Sequence, residues 1–198
     1  MRTPLYCAVF ILFCVSCVPL AAQGMEQGVV EGAGSIGGIW LNGSGGNHLH
    51  LGGTFGAAVR ERLFVFGELG YAPLTGNSTT TVVDGVPVRI SASAKLVDFG
   101  GGVQYNLPTD WNFEPYVVGA VGAGRTSASG SAHVPGSNID VSLSTSDTKA
   151  RLGVGVGVRY YVSERWGVRP ELRIDRYLGT GGTTAVRYTV GVFYQFGK

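Results

Sequence analysis

The last stretch of the chain, residues 185–196, alternates strictly between two kinds of side chain. The odd-numbered positions include Arg187, Thr189 and Gln195. The even-numbered positions carry mostly branched aliphatic and aromatic side chains: Val186, Tyr188, Val190, Val192, Tyr194 and Phe196. A period of two residues indicates a β-strand, and about ten residues is the length that a tilted strand needs to cross a bilayer. The segment therefore predicts a transmembrane β-strand.

The first residues have the pattern of an export signal. Arg2 precedes an apolar run at residues 5–18, and the small residues Ala22 and Gly24 offer a cleavage position. We therefore predict a signal peptide at residues 1–23 and a mature domain at residues 24–198. All three cysteines lie before residue 24, so the mature chain is predicted to have no disulfide. A lipoprotein cleaved before Cys17 is the alternative, although the preceding residues match that motif poorly.

The composition of the chain favours a membrane β-protein. Glycine accounts for 33 of 198 residues and charged residues for only 14%, whereas soluble domains average about 7% glycine. The net charge is +2, and the loss of Arg2 lowers it to +1, so no strong field attracts nucleic acid. After residue 24 no run of 18 apolar residues exists, so no spanning helix is predicted. A closed barrel is the other structure that satisfies the backbone within lipid.

Alternating segments recur along the whole mature chain. They predict eight antiparallel strands in up-and-down order, with short turns at one end and longer polar connections at the other. The predicted strands are residues 29–41, 48–59, 63–74, a fourth ending at 105, 113–125, 149–162, 165–177 and 185–196. The predicted fold is an all-β, eight-stranded, antiparallel up-and-down transmembrane β-barrel that follows a cleaved signal peptide.

Two of the longer connections carry turn sequences. Asp84 and Gly85 stand between runs of Thr and Val, and Asp-Gly favours a type I′ hairpin. Pro135 and Gly136 occupy the same place in the connection at residues 126–148. We therefore expect both connections to be ordered hairpins that extend above the membrane.

Pro115 and Pro170 fall inside predicted strands, although a closed barrel has no free edge that tolerates a missing N–H group. We expect each of them at a bulge or near a rim.

Charged residues occupy inward positions of the predicted strands. An eight-stranded barrel has an interior only wide enough for its own side chains, so these groups are expected to pair with one another. The alternative is a gated or proton-leaking pore. The predicted lumen charges are Glu68, Asp98, Glu114, Arg151, Arg159, Arg169, Glu171, Arg173, Asp175 and Arg187.

Aromatic residues gather near both ends of the predicted strands. In membrane barrels such residues form belts at the two interfaces and anchor the depth of the barrel. The predicted belt residues are Trp40, Tyr71, Tyr105, Trp111, Tyr160, Trp166, Tyr177, Tyr188, Tyr194 and Phe196.

Two local patterns raise the question of a cofactor. Residues 32–37 match the glycine spacing of a dinucleotide site, but neither the following helix nor the later acidic residue is evident. His48 and His50 share a strand face, as a metal site requires, but neither cysteines nor an obvious third ligand accompany them. We expect no nucleotide, no metal and no other cofactor.

With strands, belts and lumen assigned, the chain resembles the small outer-membrane β-barrel family that includes the OmpA transmembrane domain and OmpX. The resemblance rests on repeated Gly-x-Gly strand segments such as residues 153–160, on the segment 169–173, and on the aromatic Phe196 near the C-terminus. It implies an integral protein in the outer membrane of a Gram-negative-type bacterium, surrounded by lipopolysaccharide. It also implies that barrel-assembly machinery recognises the last strand, which here continues to Gly197 and Lys198.

Family members differ in function, so the fold alone does not assign one. The expected role is that of a monomeric, non-enzymatic protein whose hairpins bind an extracellular protein or host-surface ligand by adding a strand. One alternative is a narrow porin-like channel. Others are a lipid-A-modifying enzyme that uses His133, Ser137 and Asp140, and a soluble secreted calycin-like binder.

Overall fold

A computed structural model describes residues 27–42, 46–83, 86–109, 113–133 and 140–196. Eight antiparallel strands close into one barrel in sequence order, which confirms the predicted fold class. The strands are β1 (Val30–Leu41), β2 (Asn47–Arg60), β3 (Leu63–Val83), β4 (Val86–Asn106), β5 (Phe113–His133), β6 (Asp140–Tyr161), β7 (Trp166–Tyr177) and β8 (Thr184–Phe196). Within these ranges we find no helix long and apolar enough to cross a lipid bilayer. The predicted signal peptide lies outside the described residues.

The barrel closes between its first and last strands. β1 pairs with β8 from Val30↔Phe196 to Leu41↔Ala185, and along its other side it pairs with β2. β1 has the weakest alternation in the sequence, yet this double ladder satisfies its backbone groups on both sides. The glycine-rich segment 32–37 lies in the middle of β1, where it takes part in both ladders.

The two ends of the barrel differ in height. At the turn end, which also holds the start of β1 and the end of β8, the connections after β2, β4 and β6 are short. At the opposite end, called the loop end here, β3 to β6 are 21 or 22 residues long, whereas the other strands have 12 to 14. The β3–β4 ladder continues to Val83↔Val86 and the β5–β6 ladder to His133↔Asp140.

These long ladders confirm the expected hairpin extensions, although the predicted turn residues Asp84, Gly85, Pro135 and Gly136 lie outside the described residues. The predicted strands were too short because they ended where the outward side chains change from apolar to polar. Backbone pairing does not depend on that change.

The outer surface of the barrel is apolar. Side chains such as Phe55, Leu69 and Val154 are 61–65% exposed, and they form the outward-facing band expected of a membrane barrel. Pro170 faces outward at a gap in the β6–β7 ladder, between the pairs Gly157↔Glu171 and Tyr160↔Val168. The gap explains how the barrel accommodates a proline within a strand.

The interior is layered. A cluster of Ala58, Phe64, Phe66, Tyr116 and Val118 packs along one side towards the turn end. A second buried layer, called the outer layer here, lies at the loop end and draws on five strands: Ile39, Leu41, Ala72, Leu96, Tyr177 and Ala185. The charged side chains lie between this layer and the turn end.

Candidate functional site

The structure places all ten predicted lumen charges inside the barrel and adds Glu31, which is 1% exposed. Five are arginines and six are carboxylates. The arginines of this lumen network are Arg151, Arg159, Arg169, Arg173 and Arg187, and the carboxylates are Glu31, Glu68, Asp98, Glu114, Glu171 and Asp175.

Glu68 on β3 is the hub of the network. It pairs with Arg151, and its Oε2 accepts a hydrogen bond from Arg173 Nη1 at 2.7 Å. Arg187 Nη2 approaches the same oxygen at 3.8 Å. Asp175 lies 3.6 Å from Arg151 and 3.3 Å from Arg187, and Glu171 lies 2.7 Å from Arg173. Each arginine around Glu68 therefore has a second carboxylate as a neighbour.

A second group of charges lies nearer the turn end. Arg159, which is fully buried, pairs with Glu31 and lies 3.6 Å from Glu114. Its guanidinium also stacks over Phe193 with 4.3 Å between the charged carbon and the ring centre. Arg169 adds a contact of 3.4 Å to Glu31. Buried charges of opposite sign therefore lie beside one another in two groups at different depths of the barrel interior.

Two buried tyrosines complete the network. Tyr116 donates a hydrogen bond of 2.9 Å to Glu171, and Tyr177 donates one of the same length to Asp98. The prediction that Tyr177 belongs to a lipid-facing belt is wrong, because the side chain is 4% exposed and points inward. Odd-numbered residues of β7 face the interior from Gly167 onward, and Tyr177 keeps that parity.

The other described belt residues lie on the outer surface. Trp40, Tyr71 and Tyr188 ring the loop end, and Tyr188 also accepts a hydrogen bond from Asn47. At the turn end the outward aromatics are Tyr105, Tyr160, Trp166, Tyr194 and Phe196. Trp111 lies outside the described residues.

His50 points into the lumen beside Arg187, whose Nη1 lies 3.3 Å from His50 Nε2. A neighbouring guanidinium disfavours a metal cation at that nitrogen. Within the part of the chain that the structure describes, no three His, Cys, Asp or Glu side chains are arranged to hold a metal ion. Residue 137 and the side chains of His133 and Asp140 are not described, so the structure does not test the predicted catalytic set.

One small cavity adjoins the network. A cavity of about 20 Å³ borders His50, Glu68 and Arg173, which is room for about one water molecule. Above the outer layer, a wider bowl of about 410 Å³ opens at the loop end. Lys149 stands at its rim, where Nζ donates hydrogen bonds of 2.9 Å to the carbonyls of Thr180 and Gly181.

The loop end also carries a four-stranded sheet, formed by the ends of β3 to β6 that extend past the rest of the barrel; it is called the protruding sheet here. Its face toward the barrel axis exposes Ile90, Val141 and Leu143. Its other face, which continues the lipid-facing surface, is covered by small hydroxyl side chains. We call it the serine face: Ser91, Ser93, Ser127, Ser129, Ser131, Ser142, Ser144 and Ser146.

Sequence reasoning missed the buried Phe64, Phe66 and Tyr116, the outer layer, and the two faces of the protruding sheet. Alternation does contain a signal for the sheet, because serine repeats at every second position of residues 127–131 and 142–146. The buried aromatics have no such signal in the sequence. The two-residue period of a strand indicates on which face a side chain lies but not which residues surround it.

The fold and its buried ion pairs define an integral membrane β-barrel. The sequence profile of the outer membrane protein beta-barrel domain family matches residues 8–196. The chain belongs to that family and is a protein of the bacterial outer membrane.

Solved structures agree on the fold. Neisserial surface protein A is 17% identical and aligns over 85% of this chain and 96% of its own, with a TM-score of 0.58. A major outer membrane protein from Thermus thermophilus is 16% identical over 85% and 98%, with a TM-score of 0.57. Ail, the attachment invasion locus protein of Yersinia pestis, is 14% identical over 87% and 100%, with a TM-score of 0.52. No curated protein matches the chain.

Proposed function

We propose that the barrel is a non-catalytic surface-recognition protein that binds an extracellular protein partner through the protruding sheet. The observation that carries the proposal is the unequal height of the strands: β3 to β6 continue about ten residues beyond the rest of the barrel wall. In outer-membrane barrels the short turns face the periplasm and the long connections face outward. The sheet therefore stands on the cell surface.

The free side of β6 offers a docking edge. Its ladder with β7 ends at Arg151↔Tyr177, and among the described residues no strand lies beside residues 140–149 on that side. An edge strand presents N–H and C=O groups that can pair with a strand from another protein. The equivalent edge of β3 is interrupted by a bulge between Pro73 and Thr75, a device that discourages pairing.

The inner face of the protruding sheet supports the same interpretation. Leu143 is 77% exposed and Val141 is 54% exposed, both on the edge strand itself. A strand added beside β6 would cover these side chains with its own, so the edge supplies hydrogen bonds and the face supplies apolar contact. Ail, a barrel of the same fold, is named as an attachment and invasion protein.

Replacing Leu143 with lysine is expected to weaken docking at this edge, because a charge at an edge strand opposes the approach of a second strand. Peptides would be selected from a random display library on the protein in lipid nanodiscs. We expect the affinity of the selected peptide to fall by about tenfold or more in the variant. Hydrogen exchange should show slower exchange of amides in residues 140–149 when the peptide binds the wild type.

Val82→Lys is the matched control. Val82 is also well exposed, at 66%, but lies on β3 at the opposite edge. The Val82→Lys variant should bind the selected peptide with the affinity of the wild type. Slower amide exchange at β3 instead of β6, or equal loss in both variants, would contradict docking at the β6 edge.

We infer that the lumen does not conduct ions, which argues against the alternative of a narrow porin-like channel. The ion pairs of the network leave a cavity of about 20 Å³, and the outer layer covers them toward the loop end. In planar bilayers the wild type is expected to give no stepwise currents. Removing the hub, one partner and a side chain of the outer layer, with Glu68→Ser, Arg173→Ser and Leu96→Ser, should open a path and give currents. Steps in the wild type at the same protein density would contradict the inference.

A further inference from the structure

The serine face adjoins the membrane at a groove of about 640 Å³. Tyr71 and Pro73 line its membrane end, Lys95 and Arg125 its lower wall, and serines of three strands its upper wall. Tyr71 belongs to the belt that marks the outer interface. The groove therefore lies on the lipid-facing side of the barrel wall, at the depth of the headgroups of the outer leaflet.

Two cations of this groove, Lys95 and Arg125, have no carboxylate partner among the described residues. In the β4–β5 ladder Lys95 is opposite Ser127, and Arg125 is opposite Val97. Lys95 and Arg125 are therefore diagonal neighbours on one face, with their Cα atoms about 7 Å apart. Arg125 Nη2 donates a hydrogen bond of 3.4 Å to Ser146 Oγ. No ion pair to either cation is found among the described residues, and no carboxylate lines the groove. All five lumen arginines, in contrast, have carboxylate partners.

Above the cations, serines form rows across the strands. One row is Ser93, Ser129 and Ser144, in which the hydroxyls of Ser93 and Ser129 lie 2.8 Å apart. The next is Ser91, Ser131 and Ser142, and a second depression of about 220 Å³ runs beside both rows. Each hydroxyl is one donor and two acceptors, the same mixture that a sugar hydroxyl presents. Because serine is short, a flat ring can lie close to the sheet.

We propose that this groove binds the phosphorylated saccharide headgroup of an outer-leaflet glycolipid. Lys95 and Arg125 pair with its phosphate groups, and the serine rows hydrogen-bond to its sugars. The position of the groove favours a glycolipid headgroup, since the groove faces lipid at the depth of the headgroups. The charge of the groove favours the same occupant, because basic residues at an anionic membrane surface attract its headgroups. The proposal rests on the outward orientation of the loop end but not on docking at the β6 edge.

The test titrates the folded barrel, in mild detergent, with rough lipopolysaccharide, with the same lipopolysaccharide after dephosphorylation, and with phosphatidylglycerol. Native mass spectrometry counts the bound lipid. We expect the wild type to bind intact lipopolysaccharide about tenfold more tightly than either of the other lipids. Equal affinity for phosphatidylglycerol would overturn the proposal, because charge attraction alone would then account for binding.

Variants separate the two parts of the site. Lys95→Gln with Arg125→Gln should weaken lipopolysaccharide binding about tenfold, whereas Arg60→Gln with Arg62→Gln, an equal charge loss at the turn end, should leave it unchanged. Ser93→Ala with Ser129→Ala and Ser144→Ala should weaken lipopolysaccharide binding and leave phosphatidylglycerol binding as it was. Unchanged binding in the Lys95 and Arg125 variant, or in the serine variant, would refute the assignment.

Two controls accompany these variants. The mobility difference between unboiled and boiled samples on gels checks that each variant is folded. The peptide affinity of each variant, measured as for Leu143, keeps this test separate from that of edge docking.

Discussion

Replacing Glu68 with glutamine is expected to lower the free energy of unfolding by about 3–5 kcal/mol, the usual cost of removing one partner from a buried ion pair. Glu68 is the one carboxylate of the network that contacts Arg151, Arg173 and Arg187 together. Glutamine keeps the size of the side chain but removes its charge. The three guanidinium groups then share only Asp175 and Glu171, and their mutual repulsion is no longer offset.

The measurement is urea unfolding of the refolded barrel in lipid vesicles, followed by the mobility of unboiled samples on gels. Glu61→Gln makes the same chemical change in the exposed turn between β2 and β3 and should shift stability by less than about 0.5 kcal/mol. Adding Arg151→Met to Glu68→Gln should recover part of the loss by restoring the charge balance. If Glu68→Gln and Glu61→Gln were equally stable, Glu68 would not be the hub of the network.

Replacing Gly122 with alanine is expected to cost about 3 kcal/mol or to prevent refolding. Gly122 on β5 is opposite Gly100 on β4, and both face the interior. A Cβ at Gly122 would lie 2.2 Å from the carbonyl oxygen of Phe99 and 2.7 Å from the Cα of Gly100. Both contacts are with backbone atoms, so no side chain can move away to relieve them, and the ladder itself must open.

Gly119→Ala is the matched control, three residues earlier on the same strand. A Cβ at Gly119 meets no atom within 4 Å. The substitution should be neutral or stabilise by about 0.5 kcal/mol, because alanine restricts the unfolded chain. The folded fraction after refolding into vesicles and the urea midpoint check both variants. Equal behaviour of the two would mean that the barrel is wide enough at Gly122 for a side chain.

Much of the charged site follows from alternation alone. Counting in steps of two from Gly167 places Arg169, Glu171, Arg173 and Asp175 on the inner face, and the structure has them there. The same count places Tyr177 inside as well, so its assignment to a belt came from its nearness to a strand end and not from its parity. Glu31 shares the inner face of β1, but it becomes part of the network only through Arg159 and Arg169, which belong to distant strands.

The heights of the strands were less predictable. Residues 75–81 and 140–148 lack apolar outward side chains because they stand above the lipid, so they resemble loops in the sequence. They are strands because each has a neighbour to pair with, and pairing is a property of two segments together. The serine face and the apolar face of the protruding sheet emerge only when the four segments are placed in register.

Alternation along the chain was enough to identify an all-β, eight-stranded membrane barrel and to assign the side chains that face inward. This was possible because the face on which a side chain lies follows from the two-residue period of a single strand, and because every side chain that contacts lipid has to be apolar. The tertiary structure alone decided which charges meet at Glu68, where glycine leaves room for a neighbouring backbone, and how the protruding sheet aligns Lys95, Arg125 and the serine rows. Those features depend on distances between strands far apart in sequence, which the closure and register of the barrel set.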